Sequence, residues 1–359
     1  MTLWEDACAK IDAGDLAGAT DSLNQLLEQY PQSPKAPPAQ LKLAYIKIRT
    51  NPDATQEILN AFALVRTKYP ASVEAGEALV RIGYLHSKSD PAQAIDDFTT
   101  FLTSYPDHPL AAEVQQSLGR LYLRARQLDN AEAAFDKVKT ISEAPVEVAE
   151  EAALQSGFVK IMKFYASKNK AHLTPAIDAL SKLTSSTSVG IRARADLGVA
   201  EAMLLMGNRL EAREKYIAAA QAYSAHPYFR GIALYGVAFS SQEAGDMDQA
   251  VSDYAAFLTA QPGSTLAEKN AGWKAAALGS VSPRIQVSIE KDGDWESLPG
   301  IEIVRQSAYN QGRCLYLMRR YDEAIVVLTE LVEYLPQDDQ LRSQAAQLLA
   351  RCQNAIGGR

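Results

Sequence analysis

The chain has 359 residues and a formal net charge of −7, and it contains no basic run, so its composition argues against nucleic-acid binding. Alanine and leucine are abundant, β-branched residues are sparse over most of the length, and this composition favours helices. No apolar stretch approaches the ~18 residues that would span a bilayer. We therefore predict a helical protein without a direct membrane span.

Amphipathic stretches occur in pairs along the first part of the chain, and each pair is separated by a short polar turn. The predicted hairpins are 3–13 with 16–30, 38–49 with 52–69, 74–86 with 91–105, 110–126 with 130–141, 146–167 with 174–183, 191–206 with 210–223 and 228–243 with 246–259. Pro52 and Pro91 are expected in first helical turns, with Asn51 and Asp90 as N-caps.

The regular pattern breaks after a predicted helix at 266–278, which begins an eighth unit without a second helix. Within 282–300, Ile285, Val287 and Ile289 alternate with polar residues, and Asp292-Gly293 is a hairpin turn signal. We predict a short inserted β-hairpin, or at least an ordered extended loop. Further helices are predicted at the C-terminal end, namely 303–318, 321–335 and a capping helix at 339–355.

Small residues recur at a fixed spacing within these hairpins. An alanine in the second helix follows a small residue of the first helix by twelve positions. The pairs are Ala7 and Ala19, Gly119 and Ala131, Ala200 and Ala212, Ala238 and Ala250, and Gly312 and Ala324. Because small residues let two helices approach closely, this spacing predicts an array of packed hairpins.

Two segments carry a family resemblance. The run from Leu118 to Tyr122 matches the L-G-x2-Y element of the tetratricopeptide repeat, Ala131 and Phe135 continue it, and the run 309–325 is a second match. The chain thus resembles tetratricopeptide-repeat (TPR) proteins of the bacterial type. The resemblance implies an all-α fold, a right-handed superhelical α-solenoid of about eight to nine helical hairpins.

The repeat ends carry a narrower resemblance. Tyr69-Pro70 and Tyr105-Pro106 close two hairpins and resemble endings in envelope TPR proteins, of the kind of the β-barrel assembly lipoprotein and the Tol–Pal coordinator. We expect a periplasmic or envelope-associated location if a leader has been removed, and a cytoplasmic one otherwise. We expect one continuous solenoid, divided into an array at 1–279, an insertion at 280–300 and a final hairpin with its cap at 301–359.

The sequence shows no pattern that indicates catalysis or metal binding. His86, His108, His172 and His226 fall in different units, and phosphate-loop, dinucleotide, zinc-protease and nucleophile-elbow motifs are absent. We predict no catalytic residue, no metal site, no cofactor and no enzymatic activity. The three cysteines match no zinc or redox spacing; free thiols and a Cys314–Cys352 disulfide both remain open.

The family resemblance implies that the first helix of each hairpin lines a concave groove. Aromatic and arginine side chains at the expected groove positions are typical of protein-binding surfaces. The candidate groove residues are Trp4, Tyr45, Tyr84, Arg120, Phe158, Tyr235, Phe239, Tyr309, Arg313 and Tyr316, and the candidates in the insertion are Ile289 and Trp295.

Two functions are consistent with these features. The first is a non-enzymatic scaffold that binds a protein or peptide in the concave groove, as part of a bacterial multiprotein assembly. The second is a structural module that assembles with itself through the repeat ends or the inserted hairpin, since an exposed strand offers an edge for pairing.

Overall fold

The computed structural model describes residues 2–280 and 300–357, and these residues form eighteen α-helices. The chain folds as two compact units, Met1–Met162 and Lys163–Arg359. The expected all-α fold is confirmed. The predicted β-hairpin at about 282–300, with Ile289 and Trp295, lies outside the described residues. The division of the chain at 279 and 300, and the continuity of one solenoid, stay predictions.

The first unit contains four consecutive helical hairpins and most of a ninth helix. Its helices are α1 Leu3–Asp12, α2 Leu16–Gln29, α3 Ala36–Thr50, α4 Thr55–Lys68, α5 Val73–Ser89, α6 Pro91–Ser104, α7 Ala111–Arg124, α8 Leu128–Val138 and α9 Val146–Ser167. In each hairpin we call the first helix the A helix and the second the B helix. Each A helix packs against its own B helix, and α2, α4 and α6 also pack against the A helix that follows.

The second unit begins within α9 and continues the same pattern. After a 3-10 turn at Lys170–His172, its helices are α10 Leu173–Ser181, α11 Val189–Met206, α12 Arg209–Ala222, α13 Pro227–Ala244, α14 Met247–Ala260, α15 Leu266–Gly279, α16 Ile303–Leu317, α17 Tyr321–Tyr334 and α18 Gln340–Gly357. The A helices here are α11, α13 and α16, and α12, α14 and α17 are their B helices.

Helix starts follow the local capping chemistry. Pro91 opens α6, and the Asp90 carboxylate accepts a hydrogen bond from the Gln93 amide at 3.1 Å, as predicted. The corresponding prediction for Pro52 and Asn51 is wrong, because α4 begins only at Thr55. Asn51 instead ends the preceding helix, and its amide donates to the carbonyl of Lys47 at 2.9 Å.

The Tyr-Pro pairs end B helices and also connect neighbouring repeats. Tyr30, Tyr69 and Tyr105 each follow the last residue of a B helix. The Tyr105 hydroxyl donates to the carbonyl of Pro70 at 2.8 Å. One tyrosine therefore reaches the equivalent turn of the preceding repeat, 35 residues earlier.

The small residues lie where the two helices of a hairpin meet, as the spacing predicts. The alanines of the spacing pairs, Ala7, Ala19, Ala131, Ala200, Ala212, Ala238, Ala250 and Ala324, are fully buried. A Cβ atom placed on Gly312 would lie 2.7 Å from Cγ and Cδ2 of Leu328. Real Cβ atoms do not approach carbon so closely, so only glycine fits at this crossing.

Helix α15 does not take the position that the sequence suggests. The spacing predicts that it opens an eighth repeat, whereas α16 packs along α14 and occupies that place. Helix α15 instead contacts α13, α16 and α17. Its Trp273 indole stacks on Tyr228 with ring centroids 5.3 Å apart, and Nε1 donates to the carbonyl of Gly300 at 3.0 Å.

The C-terminal helix closes the second unit. α18 packs mainly on α17 and buries Ala345, Leu348 and Cys352, while its remaining face is largely exposed. This placement agrees with the predicted capping helix. Cys314 and Cys352 are both buried free thiols, and Cys8 is a half-buried free thiol.

Replacing Gly312 with alanine is expected to destabilise the second unit by about 1–3 kcal/mol, because the added methyl group overpacks the contact with Leu328. Gly190→Ala is the matched control, since a Cβ there has no neighbour within 4 Å. Urea denaturation followed by circular dichroism measures both. Equal free energies of unfolding for the two variants would contradict the close-approach interpretation.

Candidate functional site

The predicted groove residues lie on first helices of hairpins, with α9 counted as the A helix before α10, and within each unit we call the side of the A helices that carries them the A-helix face. In the first unit it includes Trp4, Tyr45, Tyr84, Arg120 and Phe158, and in the second unit Tyr235, Phe239, Tyr309, Arg313 and Tyr316. Within each unit, these side chains differ in how much of their surface is buried and in how many contacts they make within the protein.

Tyr45 connects two A helices of the first unit. Its hydroxyl donates to the Glu77 carboxylate and accepts from Nε of Arg81 at 2.5 Å. The Arg81 guanidinium also lies over the ring, 5.2 Å from its centroid. Burial, followed by the hydrogen bond to Glu77, raises the pKa of Tyr45 to about 12. The contacts of Tyr45 therefore hold α3 and α5 together.

Tyr84 and Arg120 leave more of their surface free. Tyr84 is 37% exposed, its ring packs edge-on against Phe98 with ring centroids 5.2 Å apart, and its hydroxyl shares a 3.0 Å hydrogen bond with Ser117. Arg120 is exposed and donates to the side-chain oxygen of Gln116. These two side chains extend from neighbouring A helices, α5 and α7.

The other two candidates of the first unit are half-buried. Two ammonium groups lie over the Trp4 ring, those of Lys35 at 5.3 Å and Lys42 at 5.4 Å from its centroid. Phe158 is half-buried on α9. Trp4 therefore lies in a basic environment at the start of the chain.

Tyr235 and Phe239 form an aromatic pair on α13. Their rings are nearly parallel, with centroids 6.0 Å apart and an interplanar angle of 8°. Tyr235 also contacts Tyr254 and Phe257 of α14, at 6.2 and 6.3 Å. Burial raises the pKa of Tyr235 to about 12. One side of the pair is therefore fixed against the core, and both residues remain half-buried.

The candidates on α16 range from half-buried to exposed. Tyr309 packs at the edge of the core of the second unit, and Tyr316 has its ring centroid 5.8 Å from that of Tyr321. Arg313 is exposed. The side chain of Arg313 is therefore available to an external partner.

A buried polar network lies beside these aromatic residues. The Tyr254 hydroxyl donates to the side-chain oxygen of Gln242 at 3.1 Å and accepts from the Asn310 amide at 3.1 Å. The Cys314 thiol lies 3.6 Å from the same Gln242 oxygen. Burial raises the pKa of the Cys314 thiol. The network ties α13, α14 and α16 together and holds this thiol protonated at neutral pH.

Sequence reasoning missed a carboxylate in the same unit. Glu201 of α11 accepts a hydrogen bond at 2.8 Å from the hydroxyl of Tyr165, which extends from the end of α9. Burial raises the pKa of Glu201 above its ordinary value. The two residues are 36 positions apart, as are Tyr45 and Arg81, so the repeat length was a usable signal.

A second feature that the sequence did not predict is a cleft between α2, α3 and α4. It has a volume of about 680 Å³ and is lined by apolar and amide side chains. Its lining includes Leu16, Leu43, Ile46, Leu64, Asn24 and Asn60. Two of its three helices are B helices, so the cleft is separate from the A-helix face.

The described histidines have structural roles where their contacts are defined. His86 Nδ1 lies 2.6 Å from the Asp97 carboxylate, and His108 bridges the Val73 carbonyl and the Leu110 amide. In the described part of the chain, no group of three or more His, Cys, Asp or Glu side chains is arranged to hold a metal ion. None of the described helices is long and apolar enough to cross a membrane.

Comparison with protein families gives two kinds of match. Residues 1–127 match the YfiO family, described as an outer membrane lipoprotein. Tetratricopeptide-repeat models match residues 112–145, 232–264 and 306–338. The last two ranges coincide with the hairpins α13–α14 and α16–α17, and α15 falls between them. No curated protein matches the chain.

Solved structures of helical-repeat proteins are similar along most of the chain. The apo form of RapI is 12% identical with a TM-score of 0.51, over 99% of this chain and 98% of that one. A tetratricopeptide repeat protein from Parabacteroides merdae is 17% identical with a TM-score of 0.34, over 98% of both chains. The C-terminal part of a repeat protein from Cytophaga hutchinsonii is 14% identical, with a TM-score of 0.48, over 80% of this chain and 99% of that one.

The similarity to RapI supports the fold alone, because the identity is only 12%. The ranges of the repeat matches agree with the hairpins that the structure shows. Helical repeats of this type generally serve as protein-interaction scaffolds. The chain therefore contains tetratricopeptide repeats at 112–145, 232–264 and 306–338, and its first 127 residues resemble the YfiO outer membrane lipoprotein family.

Proposed function

We propose that the chain is a non-enzymatic scaffold that binds a protein or peptide segment on its A-helix face, as one part of a bacterial multiprotein assembly. The observation that carries this proposal is the exposure of aromatic and arginine side chains on successive A helices. Tyr84 and Arg120 project from α5 and α7 in the first unit, and Arg313 projects from α16 in the second. Tyrosine and arginine dominate the binding energy of protein interfaces.

The alternative is a structural module that assembles with itself. Exposed apolar side chains on B helices offer some surface for it, since Leu210 and Val326 are 74% and 71% exposed. They lie singly on α12 and α17, and isolated exposed apolar residues are normal on a monomeric protein. We therefore favour binding of a different protein on the A-helix face.

The combined variant Tyr84→Ala, Arg120→Ala and Arg313→Ala is expected to lower partner capture at least tenfold, because it removes aromatic and arginine anchors without opening a core. Quantitative affinity capture from the source organism measures the loss. The control Leu210→Ala with Val326→Ala removes two exposed apolar side chains from B helices and is expected to leave capture unchanged.

Two results would contradict the placement of the binding site. One is unchanged capture by the triple variant, and the other is an equal loss in the B-helix control. Light scattering across a range of concentrations tests the alternative, because self-assembly requires the molar mass to rise with concentration.

A further inference from the structure

Helices α9, α11 and α13 contribute side chains to one polar position in the second unit. Tyr165 extends from the end of α9, Glu201 from α11 and Tyr235 from α13. The Tyr165 hydroxyl donates to the Glu201 carboxylate at 2.8 Å. Burial, then Glu201 and last Tyr235 raise the pKa of Tyr165. Tyr216 of α12 is buried in the core, and this burial raises its pKa well above the ordinary value, with a smaller contribution from the charge of Glu201.

The Glu201 carboxylate has no cationic partner among the described residues. Among the described side chains, the Tyr165 hydroxyl donates to it, and no lysine or arginine lowers its pKa. Other shielded carboxylates in the unit are paired, since Asp253 binds Arg213 at 3.0 Å and Asp339 binds Arg305 at 2.7 Å. A half-buried carboxylate without a cation is costly, so its retention calls for an explanation beyond packing.

The surroundings of Glu201 suit a long basic side chain. Tyr165 is 47% exposed, and Tyr235 continues into the parallel stack with Phe239. Aromatic faces attract cations and also accept the apolar stem of lysine or arginine. Tyr165 already attracts one cation of the protein, because the Lys168 ammonium lies 5.5 Å from its ring centroid. Lys168 is not paired with Glu201 itself.

We propose that Glu201 forms, with Tyr165 and Tyr235, a subsite that binds a lysine or arginine side chain of the partner segment. The subsite rests on the proposed function, because it presupposes that the A-helix face binds a protein. The subsite specifies the chemistry of the partner segment, which must present a basic side chain beside apolar residues. Charge complementarity selects this occupant over an acidic segment, which Glu201 would repel.

Glu201→Gln is expected to raise the melting temperature at neutral pH, because it removes an uncompensated charge and keeps an acceptor for Tyr165. A carboxyl group with a raised folded-state pKa contributes stability at low pH and loses it as pH rises through that pKa. The gain is therefore expected to shrink as the pH is lowered below the ordinary carboxyl range. Thermal denaturation across this pH range measures it; a variant less stable than the native chain at neutral pH would contradict an unpaired carboxylate.

Binding is tested by selecting a phage-displayed library of random short peptides on the full chain. Parallel selections use Glu201→Gln and the control Glu214→Gln, which makes the same chemical change at an exposed position of α12. The native chain and the control are expected to enrich peptides with lysine or arginine next to apolar residues, and Glu201→Gln is expected to lose the basic preference. For a selected peptide, Glu201→Gln and replacement of the peptide lysine by norleucine should each weaken binding about tenfold. The two changes together should weaken binding no more than either one alone, because both remove the same interaction.

The outcomes separate the subsite from the proposed function. Apolar peptides enriched without a basic residue, or a basic preference that survives Glu201→Gln, would overturn the subsite and leave the scaffold intact. A selection that enriches nothing on the native chain would overturn both the proposed function and the subsite.

Discussion

The structure depends on one recurring contact, in which a bulky side chain of a B helix lies against a small residue of an A helix. Phe135 lies over Gly119 and Leu328 lies over Gly312, and each bulky residue comes four positions after a fully buried alanine. The alanine and the bulky residue face the same side of the B helix, one turn apart. This contact sets the distance between the two helices, and it thereby determines which A-helix side chains face away from the hairpin.

Most helix boundaries could be predicted because they are specified by local chemistry. Tyr-Pro endings, glycine turns and capping residues act within a few positions, so a single sequence contains the information. The start of α4 could not be predicted in this way, since Asn51 can cap either the helix before it or the helix after it. The role of α15 was also hidden, because the stretch from Pro262 to Pro336, which holds α15 and the hairpin α16–α17, spans 74 positions, the length of two repeats. Only the packing of α16 on α14 shows that α16, and not α15, is the first helix of the next repeat.

The candidate site was predictable in part. Aromatic residues on A helices follow from the repeat pattern, and Tyr235 and Phe239 do form a pair. Glu201 escaped notice because a lone glutamate on a helix is usually solvated, and its environment comes from helices distant in sequence. Tyr165 and Tyr235 lie 36 and 34 residues from it, one repeat away in each direction. A search for chemically matched residues one repeat apart would have found it, whereas a search for local motifs could not.

The direct packing of α16 on α14 has a consequence for how such a protein can change over evolution. The two helices contact each other directly although 42 residues separate the end of α14 from the start of α16, and each doubling of loop length costs only about 0.6 kcal/mol of closure free energy. This junction is therefore a position at which new sequence can be accepted without rebuilding the repeats on either side. The main condition is local: the space above Gly231 must stay filled, as Trp273 now fills it. The packing of Trp273 over Gly231 and the direct contact of α16 with α14 together make this junction a site where sequence and length can vary in evolution. The same junction is a practical place to graft a chosen segment.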